Sequence, residues 1–142
     1  MRKLMAATMV AAALAVAGTA AATTVLKTYT VHMTGAQETP KGSPTGKGTF
    51  KYKLDIAHKQ LCYSLKWSGI GTNLLYAHIH KAPKGKAGNI VLVLSANAPV
   101  HQSGCVKTTK TLLTAIQKHP SAYYVNVHTK QFPGGAIRGQ LP

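Results

Sequence analysis

The sequence predicts an all-β domain, an antiparallel β-sandwich or open barrel with one short helical insert near residues 109–118. Three observations carry that expectation. Apolar and polar residues alternate at period two along most of the chain, Pro and Gly clusters separate the alternating runs, and one segment alone shows helical spacing. About seven one-sided strands in a chain of single-domain length bury their apolar faces most simply in a sandwich or a barrel.

The chain opens Met1-Arg2-Lys3 and runs through Ala, Val, Leu and Met over residues 4–16. It then reaches Gly18-Thr19-Ala20-Ala21-Ala22, a small-x-small pattern. A basic start, a short apolar middle and small residues at the end mark a Sec-type export signal, so residues 1–22 are expected to be cleaved. The apolar run is short for an uncleaved anchor, and no second segment is long enough to span a bilayer. Residues 23–142 then form one β domain, large enough to hold its core without a metal.

Within that domain Tyr29, Val31 and Met33 alternate with Thr28, Thr30 and His32, and residues 39–46 form a polar Pro/Gly loop. Over residues 49–56, Phe50, Tyr52, Leu54 and Ile56 face one way and the charged side chains the other. Residues 60–67 repeat the pattern, with Leu61, Tyr63, Leu65 and Trp67 inward and Cys62 outward, after a turn at Ala57-His58-Lys59. Tyr76-Ala77-His78-Ile79-His80 is a strand followed by a Lys/Gly loop over residues 81–88. Residues 89–94, almost continuously apolar, predict a more buried strand. Leu112, Leu113 and Ile116 recur at helical spacing, with Thr109 or Thr111 as cap and His119-Pro120 as the stop. Residues 124–128 form a strand, Phe132-Pro133-Gly134-Gly135 a turn, and residues 136–141 a last strand.

Cys62 and Cys105 are the two cysteines, an even count that fits a disulfide and an oxidising compartment. A bridge between them closes a long loop, worth about 4 kcal/mol in the chain-entropy treatment. With Cys62 outward, it is expected to pin a neighbouring loop across the sheet. Two free thiols this far apart lack a zinc-site pattern.

The formal charge is +15; without Arg2 and Lys3, basic side chains still exceed Glu38 and Asp55 by thirteen. Outside a cell such a field draws anionic envelope polymers, lipid headgroups or acidic proteins. Nucleic acid would bind it only nonspecifically, and export makes nucleic acid an unsuited cognate partner. Two carboxylates nearly exclude mechanisms that need a carboxylate pair, such as glycoside hydrolysis. No Gly-x-Ser-x-Gly elbow, phosphate-cradling Gly loop or His-Glu-x-x-His helix is present. The expectation is therefore a protein that is not an enzyme, although redox-metal chemistry stays open.

Alternation puts His78 and His80 on one strand face, and Asn126 and His128 on one face of another. Three imidazoles brought together suit copper or zinc and leave a position open, which makes His78, His80 and His128 the candidate ligands. If the last strand pairs with residues 126–128, the same face also carries Arg138 and Gln140. Three readings then stay open: a polar network opposite the core, a metal site, or a site for an anionic or polar ligand. The remaining histidines, His32, His58, His101 and His119, fall in loops or at outward positions. The lysines alternate outward or lie in loops, and spacing alone does not show whether they converge.

Gly35-Ala36-Gln37-Glu38-Thr39-Pro40, Ala77-His78-Ile79-His80, Tyr124-Val125-Asn126-Val127-His128-Thr129 and Phe132-Pro133-Gly134-Gly135-Ala136-Ile137-Arg138-Gly139-Gln140-Leu141 together resemble the CHRD (chordin) domain, over roughly residues 28–141. The surroundings of Cys62 and Cys105 are similar to those of small exported bacterial members. The resemblance implies an extracellular β-sandwich or barrel of poorly defined function. In chordin the domain belongs to a secreted growth-factor-binding protein, an activity that does not pass to a lone domain. The family's usual Glu is replaced by Ala136, which leaves Glu38 as the counter-charge for Arg138 or the histidines. The His-x-His strand is also similar to that of copper–zinc superoxide dismutase, at the level of fold alone, since the bridging histidine and zinc aspartate have no counterpart. The expected function is a secreted or cell-envelope CHRD binding module, non-catalytic and drawn to anionic partners. The alternative is an exported copper- or zinc-binding protein with a three-histidine site; no cofactor is otherwise expected.

Overall fold

The computed structural model describes residues 25–142, so the expected export signal at residues 1–22 lies outside the described residues. Eight strands form one antiparallel sheet: β1 (Tyr29–Thr34), β2 (Lys47–Asp55), β3 (Gln60–Ser68), β4 (Leu74–Lys81), β5 (Asn89–Ser95), β6 (Ser103–Lys107), β7 (Tyr123–Thr129) and β8 (Ile137–Gln140). Their spatial order is β5-β4-β7-β8-β1-β2-β3-β6, and the sheet curls into a nearly closed barrel with its seam between β5 and β6. Alternation sets the register. Phe50, Tyr52 and Leu54 of β2 pair with Leu65, Tyr63 and Leu61 of β3, and all six point into the barrel. Ala77 and Ile79 of β4 join Val125 and Val127 of β7 and Ile137 of β8 in the same core. Tyr63 reaches across the seam, donating its hydroxyl to the Leu94 carbonyl of β5 at 3.0 Å.

The β2–β3 turn follows the expected Ala57-His58-Lys59, with Lys59 at φ 53 in the left-handed region. Asp55 secures it, accepting from the His58 backbone N–H at 3.1 Å and contacting the His58 ring at 2.9 Å. The helical insert is α1 (Lys110–Lys118), capped by Thr109 Oγ1, which accepts from the Leu112 N–H at 3.1 Å. Leu113 and Ile116 bury its apolar face against the barrel core, and the helix ends at His119.

Three expectations need correction. Residues 89–94 are not a more buried strand: β5 is a border of the sheet, with Ile90 and Val93 49% and 42% exposed. An apolar run is compatible with either place, because periodicity does not report how many neighbours a strand has. There are eight strands rather than about seven. The missed one, β6, is five residues long and mostly exposed, so it carries no alternation to read. It follows that the disulfide does not pin a loop. Cys62 and Cys105 face each other on adjacent paired strands, β3 and β6, and bind the border strand to the wall.

The bridge spans 43 positions. Replacing both cysteines with Ser should lower the unfolding free energy by about 4 kcal/mol or somewhat less, read from urea midpoints at unchanged slope. A change under about 1 kcal/mol would mean that strand pairing alone restrains β6 as well.

Candidate metal centre

His78 and His80 leave β4 on the face opposite Ala77 and Ile79, as the alternation requires. In the β4–β7 register His78 faces Asn126, His80 faces Tyr124, and Tyr76 faces His128. On the other side of β7, Asn126 pairs with Arg138 and Tyr124 with Gln140. A polar layer therefore covers the outside of the barrel wall over β4, β7 and β8. It is nevertheless buried: each of the three histidines is 7% exposed, and Arg138 only 2%.

What buries it is the loop over residues 81–88, folded back across the strands. The Arg138 guanidinium donates to the Lys86 and Pro83 carbonyls at 2.8 and 3.0 Å and lies 3.4 Å from the Tyr124 ring centroid. Gln140 Nε2 donates to the Ala82 carbonyl at 2.8 Å, and the Gly88 N–H to the Tyr124 hydroxyl at 3.3 Å. Gly88 is obligatory at this close approach, since a Cβ there would stand 2.1 Å from the Lys81 carbonyl oxygen. Arg138 thus spends its donors on the loop, turned to carbonyl oxygens and an aromatic face, while its positive charge still disfavours protonation of His80.

The three imidazoles converge, with one ring nitrogen from each within 4.8 Å of the others. His78 Nδ1 is 3.3 Å from His128 Nε2. Two nitrogens bound at 2.0–2.1 Å to a tetrahedral zinc lie roughly 3.3 Å apart, so this pair already has ligand spacing. The other two tautomers are set by backbone oxygens: His80 Nδ1 faces the Gly88 carbonyl, and His128 Nδ1 the Pro133 carbonyl, both at 2.9 Å. With the proton on Nδ1, each keeps an Nε2 lone pair, the second-sphere arrangement of metal-binding histidines. His80 Nε2 is buried with no hydrogen-bond partner. His128 Nε2 faces Asn126 Oδ1 at 3.1 Å, acceptor against acceptor. The polar network is real in part, but it does not close on itself.

Burial depresses the basicity of all three rings. His78 is held down to about 4, by burial first and then by the nearby His128 and His80 rings. His80 is lowered by burial first and also by the charge of Arg138, against the Gly88 carbonyl and the nearby Asn126 amide, and His128 by burial and the His80 ring, against the Pro133 carbonyl. All three are neutral near pH 7, the form that binds a metal. Glu38, the expected counter-charge, is buried beside this layer but makes no salt bridge to Arg138 or the histidines among the described residues. Burial raises it to about 7, outweighing Asn126 and Arg138, and its Oε1 has no partner. The remaining histidines are exposed, as expected.

Every residue singled out for this site falls in one neighbourhood: His78, His80, Asn126, His128, Arg138, Gln140 and Glu38. Tyr124 was overlooked, although period-two spacing from Asn126 and His128 places it on the same face; it stacks on His80 at 4.7 Å and carries Arg138. The backbone oxygens of Gly88 and Pro133 left no signal, because every residue type supplies the same carbonyl.

One protein-family model, described as the CHRD domain, matches residues 29–141. No curated protein and no solved structure matches the chain.

The ionisations give a signed pH dependence. An unfolded histidine takes its proton near 6.5 and folded His78 near 4, so this contribution to stability is present above 6.5 and lost as the pH falls through about 4. Glu38 works the other way: its contribution is present below 4.5 and lost as the pH rises through about 7. Metal-free protein should lose stability across this window on acidification, and Glu38→Gln should make the loss steeper; a shallower loss in the variant would contradict the assignment. Separately, Arg138→Leu strands two carbonyls beneath the loop and should cost about 3 kcal/mol in denaturant unfolding.

Proposed function

This chain belongs to the CHRD domain family, and from that premise we propose that it is a non-catalytic, extracytoplasmic binding module whose His78, His80 and His128 hold a copper or zinc ion. The observation that carries the reading is the buried Nε2 of His80, unpartnered and within 4.8 Å of the ligand nitrogens of His78 and His128, in a group where backbone carbonyls set the proton positions of His80 and His128. A buried acceptor without a donor is costly, and a cation bound by neutral imidazole lone pairs would satisfy several such acceptors together. Asn126 Oδ1, another acceptor without a donor when His128 carries its proton on Nδ1, stands ready as an oxygen ligand. Nitrogen donors with one amide oxygen suit zinc or copper rather than calcium or magnesium.

Bound there, the ion would tie β4 to β7 and could serve as a Lewis acid. The non-catalytic reading rests on what surrounds it. Glu38 is buried, Asp55 is engaged with His58 and Gln60 at the far turn, and Asn126 occupies the neighbourhood an incoming water would need. Export is supported by the Cys62–Cys105 disulfide, which persists in oxidising compartments. A second reading, engagement of anionic partners, is favoured by a separate observation: neither carboxylate competes for the exposed lysines.

Protein purified without a histidine tag should bind one zinc or copper ion, measured by elemental analysis after dialysis. His80→Ala should weaken that binding by more than the roughly 10–100-fold that losing an outer partner costs. Because the histidines are held neutral to low pH, release on acidification should have its midpoint below the ordinary histidine value of 6.5. Absence of stoichiometric metal in wild type, or equal binding in His80→Ala, would end the metal reading.

A further inference from the structure

On the opposite side of the barrel, the register answers whether the lysines converge. We propose that the outer face of β1, β2, β3 and β6 is a docking surface for an extended anionic polysaccharide. This rests on the anionic-partner reading above and is independent of the metal.

The inward set of these strands is Val31, Met33, Phe50, Tyr52, Tyr63 and Leu65, among others, so the alternate residues face solvent. Cross-strand pairing arranges them in rows. Lys47 lies between Thr34 and Ser68, Lys51 between Thr30 and Ser64, and Lys66 beside Thr49. Lys53 lies beside Cys62, and Lys107 beside Gln60. Each successive row along the strands carries one lysine, all five exposed, with neutral and mostly hydroxyl-bearing neighbours. Rows two residues apart lie roughly 7 Å from one another, so the cations form a ladder roughly 27 Å long. No lysine stands directly opposite another. The one carboxylate of this face, Asp55, is occupied by His58 and Gln60.

The chemistry selects among polyanions. None of the strands β1, β2, β3 and β6 carries a large exposed apolar residue, and Tyr76, Ile90 and Val93 lie on β4 and β5, so the strands of this face have nothing to insert into a bilayer. Phe50, Tyr52 and Tyr63 are buried inward, and the half-buried Tyr29 and Trp67 stand on the same inward alternation, so no row of exposed rings offers the stacking platform that single-stranded nucleic acid uses. No large exposed apolar side chain stands on these strands to anchor a protein partner. A sugar chain needs neither: its carboxylates or sulfates meet spaced ammonium groups, and its hydroxyls meet Thr and Ser. A shallow depression of about 380 Å³, lined in part by His32, Thr34, Lys47, Thr49, Lys66 and Ser68, lies at one end of the ladder.

The probe is a polyuronate, alginate oligomers of defined length, with neutral dextran as the blank. Wild type should bind alginate and not dextran, with affinity falling steeply as salt rises. The triple variant K51E/K53E/K66E should bind roughly a hundredfold more weakly at low salt. The charge-matched control K110E/K118E/K130E, on the helix and beyond β7, should lose less than about a tenth of that factor; far-UV circular dichroism checks both folds. Equal losses in the two triples would overturn the face while leaving an anionic partner in place. Equal or tighter binding to phosphatidylglycerol vesicles or single-stranded DNA would overturn the polysaccharide. No binding to any of these polyanions would remove the anionic-partner reading as well.

Discussion

One buried guanidinium holds the polar side of this molecule together. A barrel wall has an inside, which apolar side chains fill, and an outside, which water normally covers. Here the outside of β4, β7 and β8 is dry, because Arg138 pulls the loop over residues 81–88 onto it through two backbone carbonyls. Hydrogen bonds to a charged donor are the stronger kind, and this donor is desolvated. Under that roof the imidazoles lose their protons, His80 keeps a lone pair with no donor to meet it, and Glu38 holds its proton toward neutral pH. Without the roof, the same side chains would be ordinary solvated groups on a sheet.

Much of this was legible in the residues. Period-two alternation set which side chains of β2, β3, β4 and β7 point inward, and it put His78 with His80 on one face of their strand and Asn126 with His128 on one face of theirs; the pairing of β4 with β7 makes these a single outer face. Alternation in the last strand extended that reading to Arg138 and Gln140, the family resemblance extended it to Glu38, and the family match covers residues 29–141. Two kinds of fact were hidden. Strand neighbours depend on how the sheet closes, so β5 read as interior and β6 did not read as a strand. The closing of the site depends on backbone oxygens of residues 83, 86, 88 and 133, and main-chain atoms leave no trace in side-chain identity.

Positive charge is of two kinds in this barrel. Arg138, the one arginine among the described residues, is buried and directional; the lysines are exposed and diffuse. The division follows their chemistry, since a planar fork suits fixed carbonyls and a flexible ammonium suits a wet, adaptable contact. With both carboxylates withdrawn, one into the wall and one into a turn, the positive surface meets no internal opposition.

The two borders of the sheet are unequal. β6 is riveted to β3 by a covalent link, whereas β5 is held to β4 by a ladder with two irregularities in its register. Local opening starts where restraint is least, so the wall frays from the β5 side. That border is joined to β4 through the loop over residues 81–88, so loosening it would lift the cover from the imidazoles and leave the lysines as they are.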